Sequence, residues 1–354
     1  MRGSLLISAI LVARGASAHA GSISEEISAG ASLSASTTPS ISWIADRIAG
    51  VWDAGARWQL RASVDATHAM APSGEEANTV FSTSASAEIA LDSHGSLSLV
   101  AGWSPTSTTH SSATVLDDSL PGDQGEAVAR LAARSAMMSL AASLEYDTAG
   151  TSDHETSGSL TIGANHFQSL QTITALTDPD GQMLTTREVS DHCATRSCSD
   201  ELQAALSPKA TQLTQLALSA SVMHTLEGTG DLGLGASCYF YDKDPNTVGY
   251  FSLATLGRGN LGTGAGVAPL RYTFSPSIGN RWGPLSGTLS VTYGIYFQGV
   301  GYDLTTNAKL QYKLKLDAQS RLKLYTKLSG SRGADQEGNT TSSMSMALGA
   351  QYSW

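Results

Sequence analysis

The chain has 354 residues, of which 15% are charged and 41% hydrophobic, with 35 glycines and a formal net charge of −10. So few charges, against about 25% in ordinary soluble domains, sit poorly with a water-exposed surface all round. The acidic balance argues against nucleic-acid binding, and the hydrophobic share is too large for a disordered chain.

Residues 1–20 read as a secretory signal peptide. Arg2 supplies a positive start, Leu5 to Ala13 an apolar core, and Ala16–Ala18 or Ala18–Ala20 a small-residue cleavage site. The mature domain is then 21–354. No later stretch approaches the ~18 uninterrupted apolar residues of a membrane-spanning helix.

From there the chain alternates with a period of two, as strands do. Ile27, Ala29, Ala31, Leu33 and Ala35 share one face. Residues 41–52 fit neither a clean strand nor a long helix and are expected to form a bulged strand. Trp58, Leu60, Ala62, Val64 and Ala66 follow, then Phe81, Ala85, Ala87, Ile89 and Leu91. Asp92-Ser-His-Gly95 is a turn by composition, after which Leu97, Leu99, Ala101 and Trp103 resume the pattern. Residues 105–133 are polar and read as a long connection. Met138 to Tyr146, Leu160 to Ala164, Leu216 to Val222 and Leu232 to Phe240 are further alternating runs. Residues 177–210 and 244–267 form two more long connections, the first with a short helix expected after Ser199. Four more strands are centred near Phe274, Tyr293, Leu310 and Leu324.

Residues 341–354 close the chain. Met344, Met346, Leu348, Ala350, Tyr352 and Trp354 line one face, against Ser343, Ser345, Ala347, Gly349, Gln351 and Ser353 on the other. An amphipathic edge of a soluble sandwich would show the same alternation. This stretch, however, resembles the terminal strand of bacterial outer-membrane β-barrel proteins, which end on an aromatic residue preceded by alternating apolar positions. The resemblance implies that Met346, Leu348, Ala350, Tyr352 and Trp354 form the signal read by the barrel-assembly machinery.

Loop lengths support the same architecture. Counting back from Trp354, every second connection is short, beginning with 317–319, and most of the others are long. Outer-membrane barrels pair short periplasmic turns with longer outer loops and usually have an even number of strands. The expected fold is all-β: one transmembrane antiparallel up-and-down barrel of about 14 strands, with 12 or 16 compatible with the uncertain boundaries. Trp52, Trp58, Trp282 and Trp354 fall at short-turn ends, Trp103 at an outer end and Trp43 near one, as interfacial girdles require. Fatty-acid and hydrocarbon transporters of that strand number carry an N-terminal plug. Here the first strand follows the expected cleavage site too closely to leave room for one.

Residues opposite the apolar rows point inward. On the last hairpin but one these include Lys309, Lys313 and Lys315, facing Lys327, Lys323 and Arg321. Like charges directly across a strand pair destabilise it, so water or acidic partners must reach this wall; Glu26, Asp65, Glu88 and Glu145 are candidates. A lumen-lining basic stripe of Lys309, Lys313, Lys315, Arg321, Lys323 and Lys327 suits a porin-like passive channel for small polar or anionic solutes. The alternative is that these charges only coat a solvated wall. A stretch from Pro121 to Ala133 could also fold inward as a constriction loop.

Two other classes stay open: a non-conducting structural or adhesive surface barrel and, less favoured, a barrel enzyme. Among eight histidines none has the spacing of a known barrel hydrolase or of a zinc site. His68, His166 and His224 end apolar strands, as interfacial residues do. Asp178–Asp180 and Asp242–Asn246 could hold Ca²⁺ weakly, although turn chemistry explains both. No catalytic residue, cofactor or metal is assigned. Cys193 and Cys198 could close a small disulfide, with two free thiols as the alternative. Cys238 falls on an apolar face. The expected partners are outer-membrane lipid, the assembly machinery and small solutes, with the chain exported to the bacterial outer membrane.

Overall fold

The computed structural model describes residues 21–34, 41–70, 78–116, 126–148, 154–177, 183–184, 187, 209–226, 230–245, 270–297, 301–316, 320–334 and 340–353. The strands are β1 (Gly21–Ser34), β2 (Ile41–Asp53), β3 (Trp58–Met70), β4 (Asn78–Ala90), β5 (Gly95–Leu116), β6 (Glu126–Asp147), β7 (His154–Thr177) and the two-residue β8 (Met183–Leu184). They continue with β9 (Lys209–Leu226), β10 (Gly230–Tyr241), β11 (Leu270–Trp282), β12 (Leu285–Tyr296), β13 (Tyr302–Lys315), β14 (Arg321–Ala334) and β15 (Thr340–Ser353).

Strands adjacent in sequence are adjacent in the sheet and antiparallel, except that β8 only caps the end of β7, which passes on to β9. β1 pairs with β15 from Ser24↔Ser353 to Ser34↔Ser343, and β6 pairs with β7. These two pairings leave no free edge. The molecule is a closed barrel of fourteen staves, and closure removes the unpaired backbone groups an edge would present.

The usual burial pattern is inverted. Among the described residues the buried hydrophobics are Ile23, Leu213, Tyr296, Tyr325 and Ala347, while leucines, methionines and aromatics of nearly every stave stand outward and exposed. Met138, Leu140 and Ile162 are 60% exposed or more. Removing such a side chain from water is worth about 1.5–3 kcal/mol, so an apolar surface of this breadth is costly when it faces water. Cys238 belongs to the same outward row, between Leu218 and Tyr272, and is free. Among the described residues no helix is long and apolar enough to cross a membrane, which says nothing of strands.

Two hydrogen-bonded histidines mark the height of the band. On the outer face His166 Nδ1 meets Thr214 Oγ1 at 3.1 Å, and His224 Nδ1 meets Thr156 Oγ1 at 2.8 Å. Both pairs span β7 and β9, with Leu160, Ile162, Leu216 and Leu218 between them. From Thr156 to His166 is about 33 Å of strand, or about 25 Å along the normal at a tilt of ~40°, the height of a barrel's apolar girdle.

The structure corrects three expectations. Residues 41–53 form a regular strand paired without a bulge to both neighbours. Their outward row is Ile44, Asp46, Ile48, Gly50 and Trp52, so a carboxylate and a glycine interrupt the apolar pattern that would have identified it. Trp43 lies on the inner face against Gly30, not in an outer girdle. Most of the stretch 105–133 is strand: 107–116 of β5 pair with 126–135 of β6, which removes Glu126–Ala133 from any inward loop. Residues 117–125 lie outside the described set, as do 188–208, with the expected helix and the cysteine pair Cys193 and Cys198.

β5, β6 and β7 run to 22, 22 and 24 residues, whereas β11 to β15 have 12 to 14. Crossing a bilayer takes about 9–11 residues, so this side of the barrel continues well past the apolar band, away from the short turns. Ladder irregularities at Ser104/Ser107 and Arg130/Leu131 fall within this extended portion or at its start. One extra residue there changes the bend and twist of a stave. On the other side the turns are tight. Gly283, with φ of 62°, sits in the two-residue link between β11 and β12, a backbone region that suits glycine.

Candidate functional site

Small hydroxyl side chains floor most of the inner face. They pair across strands: Ser63 with Ser84 at 2.7 Å, Ser143 with Thr161 at 2.8 Å, Ser159 with Ser221 at 2.8 Å and Ser331 with Ser343 at 2.7 Å. Each such pair adds about 0.2–1 kcal/mol relative to alanines. Side chains this short reach less far inward than the large ones that fill the interiors of small barrels.

On β13 and β14 the six predicted cations share this inner face, opposite Leu310, Tyr312 and Leu324. The register sets Lys309 against Lys327, Lys313 against Lys323 and Lys315 against Arg321. Among the described residues none of the six forms an ion pair with a carboxylate. Lys323 Nζ donates to Gln351 Oε1 at 3.2 Å. Lys309 and Lys327 place their ammonium groups over the ring of Tyr325, 5.1 and 4.9 Å from its centroid. A cation over an aromatic face gains about 0.5–2 kcal/mol, which offsets part of the repulsion between the two lysines.

Tyr325 itself was assigned no special role by the sequence. It is 7% exposed and lies across β15, where its ring occupies the space that a Cβ on Gly349 would need. From there its hydroxyl donates to Glu26 Oε1 on β1. Glycine at 349 is required by this close approach. The available signal was the lone tyrosine in a lysine row, opposite a glycine.

The wall formed by β1 to β4 is different. Arg47 Nε lies 3.3 Å from Asp65 Oδ1, and Arg61 Nη2 lies 2.9 Å from Glu88 Oε2. Gln59 Oε1 also accepts from Arg61 Nε at 3.0 Å and Nη2 at 2.7 Å. Asp65 and Glu88, expected to face the lysines, are thus bound to arginines on neighbouring strands. Glu26 does approach the basic wall, through Tyr325. Glu145 has Ser96 and Ser159 as its strand neighbours.

One rank links the two walls. Cross-strand partners run Asp65, Arg47, Glu26, Gln351, Lys323, Lys313 over six consecutive staves, from β3 through β2, β1, β15 and β14 to β13. Above Arg47 and Arg61 a cavity of about 390 Å³ opens, lined also by Ser24, Glu26, Ser63 and Gln351.

In the terminal strand, Met344, Met346, Leu348 and Tyr352 stand outward and exposed, with Ala350 in the same row. Trp354 lies outside the described residues. On the far side of the barrel, Asp242, just past β10, accepts from the Thr214 amide at 3.0 Å, which holds its carboxyl below the usual range. That is turn chemistry, as its composition suggested.

No family model matches the chain, and no curated protein matches it. Solved structures do. A "CymD monoaromatic hydrocarbon channel" aligns with a TM-score of 0.52 at 10% identity, over 95% of this chain and 88% of that one. A FadL homologue from Pseudomonas aeruginosa aligns with a TM-score of 0.50 at 10% identity, over 94% and 89%. A TodX mutant, also titled a monoaromatic hydrocarbon channel, aligns with a TM-score of 0.51 at 9% identity, over 95% and 91%. At such identities the likeness is one of fold: the chain has the architecture of bacterial outer-membrane β-barrel channels.

Proposed function

We propose that this chain is a passive channel of the bacterial outer membrane for small polar or anionic solutes, and not an enzyme. The observation that carries the reading is the row of six inward cations on β13 and β14, with no described carboxylate paired to any of them. Unpaired charges are tolerable only where water reaches them, and a lumen lined by one sign of charge concentrates ions of the other. The hydrocarbon route named for CymD and TodX suits such a wall less well, because an apolar solute gains nothing from lysines.

Planar-bilayer recordings of the purified barrel in a salt gradient test this. Discrete conductance steps and a reversal potential on the anion-selective side are expected. A folded protein that passes no current would remove the channel reading. It would favour the second one, a surface-display barrel, for which the tall staves β5 to β7 speak. In the same proposal residues 1–20 direct export and β15 is the assembly signal, with outer-membrane lipid and the assembly machinery as partners. Deleting Trp354 is then expected to leave protein in the periplasm or degraded; normal heat-modifiable migration and surface exposure of the deletion would refute the signal.

A further inference from the structure

We infer that the cavity above Arg47 and Arg61 is a binding station for small acidic amino acids, distinct from the basic stripe. The reading rests on the channel proposal only for how the solute arrives.

The cavity, at about 390 Å³, falls within the size range of small-molecule sites, roughly 300–1,000 Å³. Both guanidinium groups are anchored from one side. Arg47 is engaged at Nε by Asp65 at 3.3 Å, with its side chain still half exposed. Arg61 is engaged at Nε and Nη2 by Gln59 and Glu88, which leaves Nη1. A guanidinium held in place loses less freedom when it captures a carboxylate, and planar recognition of carboxylates favours arginine. The side chains are 52% and 53% exposed, so the donors are open to solute.

The third charged group lining the cavity is Glu26. Tyr325 occupies its Oε1, which leaves Oε2 as an acceptor. Two guanidinium groups and one carboxylate are complementary to two carboxylates and one ammonium group. That is the charge set of an α-amino dicarboxylic acid. Ser24, Ser63, Ser84, Ser86 and the Gln351 amide supply neutral hydrogen-bond partners around it, and Val51 and Val100 an apolar patch for the methylene carbons.

The test measures binding of L-glutamate to the full barrel in detergent micelles by titration calorimetry, with glutarate, L-glutamine and glucose as comparisons. L-Glutamate is expected to bind at least about tenfold more tightly than glutarate, which lacks the ammonium group, and than L-glutamine, which lacks one carboxylate. Glucose should give no heat. Arg47→Gln and Arg61→Gln should each weaken L-glutamate binding about tenfold or more. Glu26→Gln should erase the preference over glutarate, while Tyr325→Phe, which keeps the Glu26 charge, should retain it. Heat-modifiable migration shows which variants are folded.

Equal binding of L-glutamate and glutarate by the wild type, or unchanged binding in both folded arginine variants, would overturn the assignment. Because calorimetry needs no current, a conducting barrel without glutamate binding rejects this inference alone. A non-conducting barrel that binds L-glutamate as described rejects only the channel reading.

Discussion

The β1–β4 wall and the β13–β14 wall both carry charge but arrange it in opposite ways. On the first, cation and anion meet across two of the strand pairs, Arg47 with Asp65 and Arg61 with Glu88. On the second, cation faces cation three times in succession. The first arrangement nearly neutralises itself, and exposed pairs of this kind add only about 0–1 kcal/mol each. The second costs stability with every repeat unless something else profits from it. A charge row that does not help the fold is the better marker of a surface meant for solute, because solvated pairs explain themselves.

The largest test of that contrast is Lys313→Glu combined with Lys323→Glu. If the second wall sets the field of the lumen, ion preference should invert from anions to cations, most strongly at low ionic strength where screening is weak. Reversal potentials in a salt gradient measure it. An open channel with unchanged selectivity would reduce these lysines to coating.

Next in size is Gly349→Val. The ring of Tyr325 already fills the place of a Cβ there, so the variant must push the ring aside, break its bond to Glu26 and uncover Lys309 and Lys327. Overpacking of this sort costs about 1–3 kcal/mol, which a shifted urea midpoint would report. Gly330→Ala is the control: on the neighbouring strand an added Cβ comes no nearer than 4.0 Å to the Ser343 carbonyl oxygen, so its midpoint should hardly move.

A smaller effect is expected at the turn that feeds the first wall. Asp92 accepts from the amides of His94 and Gly95, both at 2.7 Å, and these bonds hold its carboxyl below the ordinary range. A carboxyl lowered on folding contributes stability that is fully present above its unfolded pKa and is lost as pH falls through the folded value. Amide exchange at Gly95 should therefore stay slow through the ordinary carboxylate range and rise only at pH values below it. Asp92→Asn should remove that acid step.

The smallest effect sharpens the contrast from the other side. Exchanging partners, Arg47→Asp with Asp65→Arg, keeps the first wall neutral and should leave ion selectivity within about twofold of wild type. Stability should change by less than about 1 kcal/mol, the worth of one exposed pair. A shift as large as that of the lysine double variant would mean that the first wall also sets the field.

Much of this barrel was legible because most staves carry an apolar residue at every second position, along their outward face. Rows such as Leu216, Leu218, Ala220 and Val222 could be read directly. The alternation lapses further along β5 and β6, and so 105–133 resembled loop although 107–116 pair with 126–135 as strand. It also lapses in β2, whose outward Asp46 and Gly50 and inward Trp43 and Val51 blur the two faces. The basic row was legible because one hairpin carries it, and the hairpin fixes its register. The Arg47–Asp65 pair was not, since β2 had been expected to bulge. Nor was the Tyr325–Glu26 bond, whose partners are 299 positions apart.

That separation bears on how the barrel comes into being. Glu26 belongs to the first strand and Tyr325 to the last but one, and the seam between β1 and β15 lies between them. Closing so long a loop carries an entropic cost that is recovered only when the seam zips, which places such contacts late and makes them slow. The hydroxyl of Tyr325 therefore works as a latch on the completed cylinder. Until β15 has been made and docked, Glu26 has no tyrosine to hold, and an open sheet can be told from a shut barrel by that one bond.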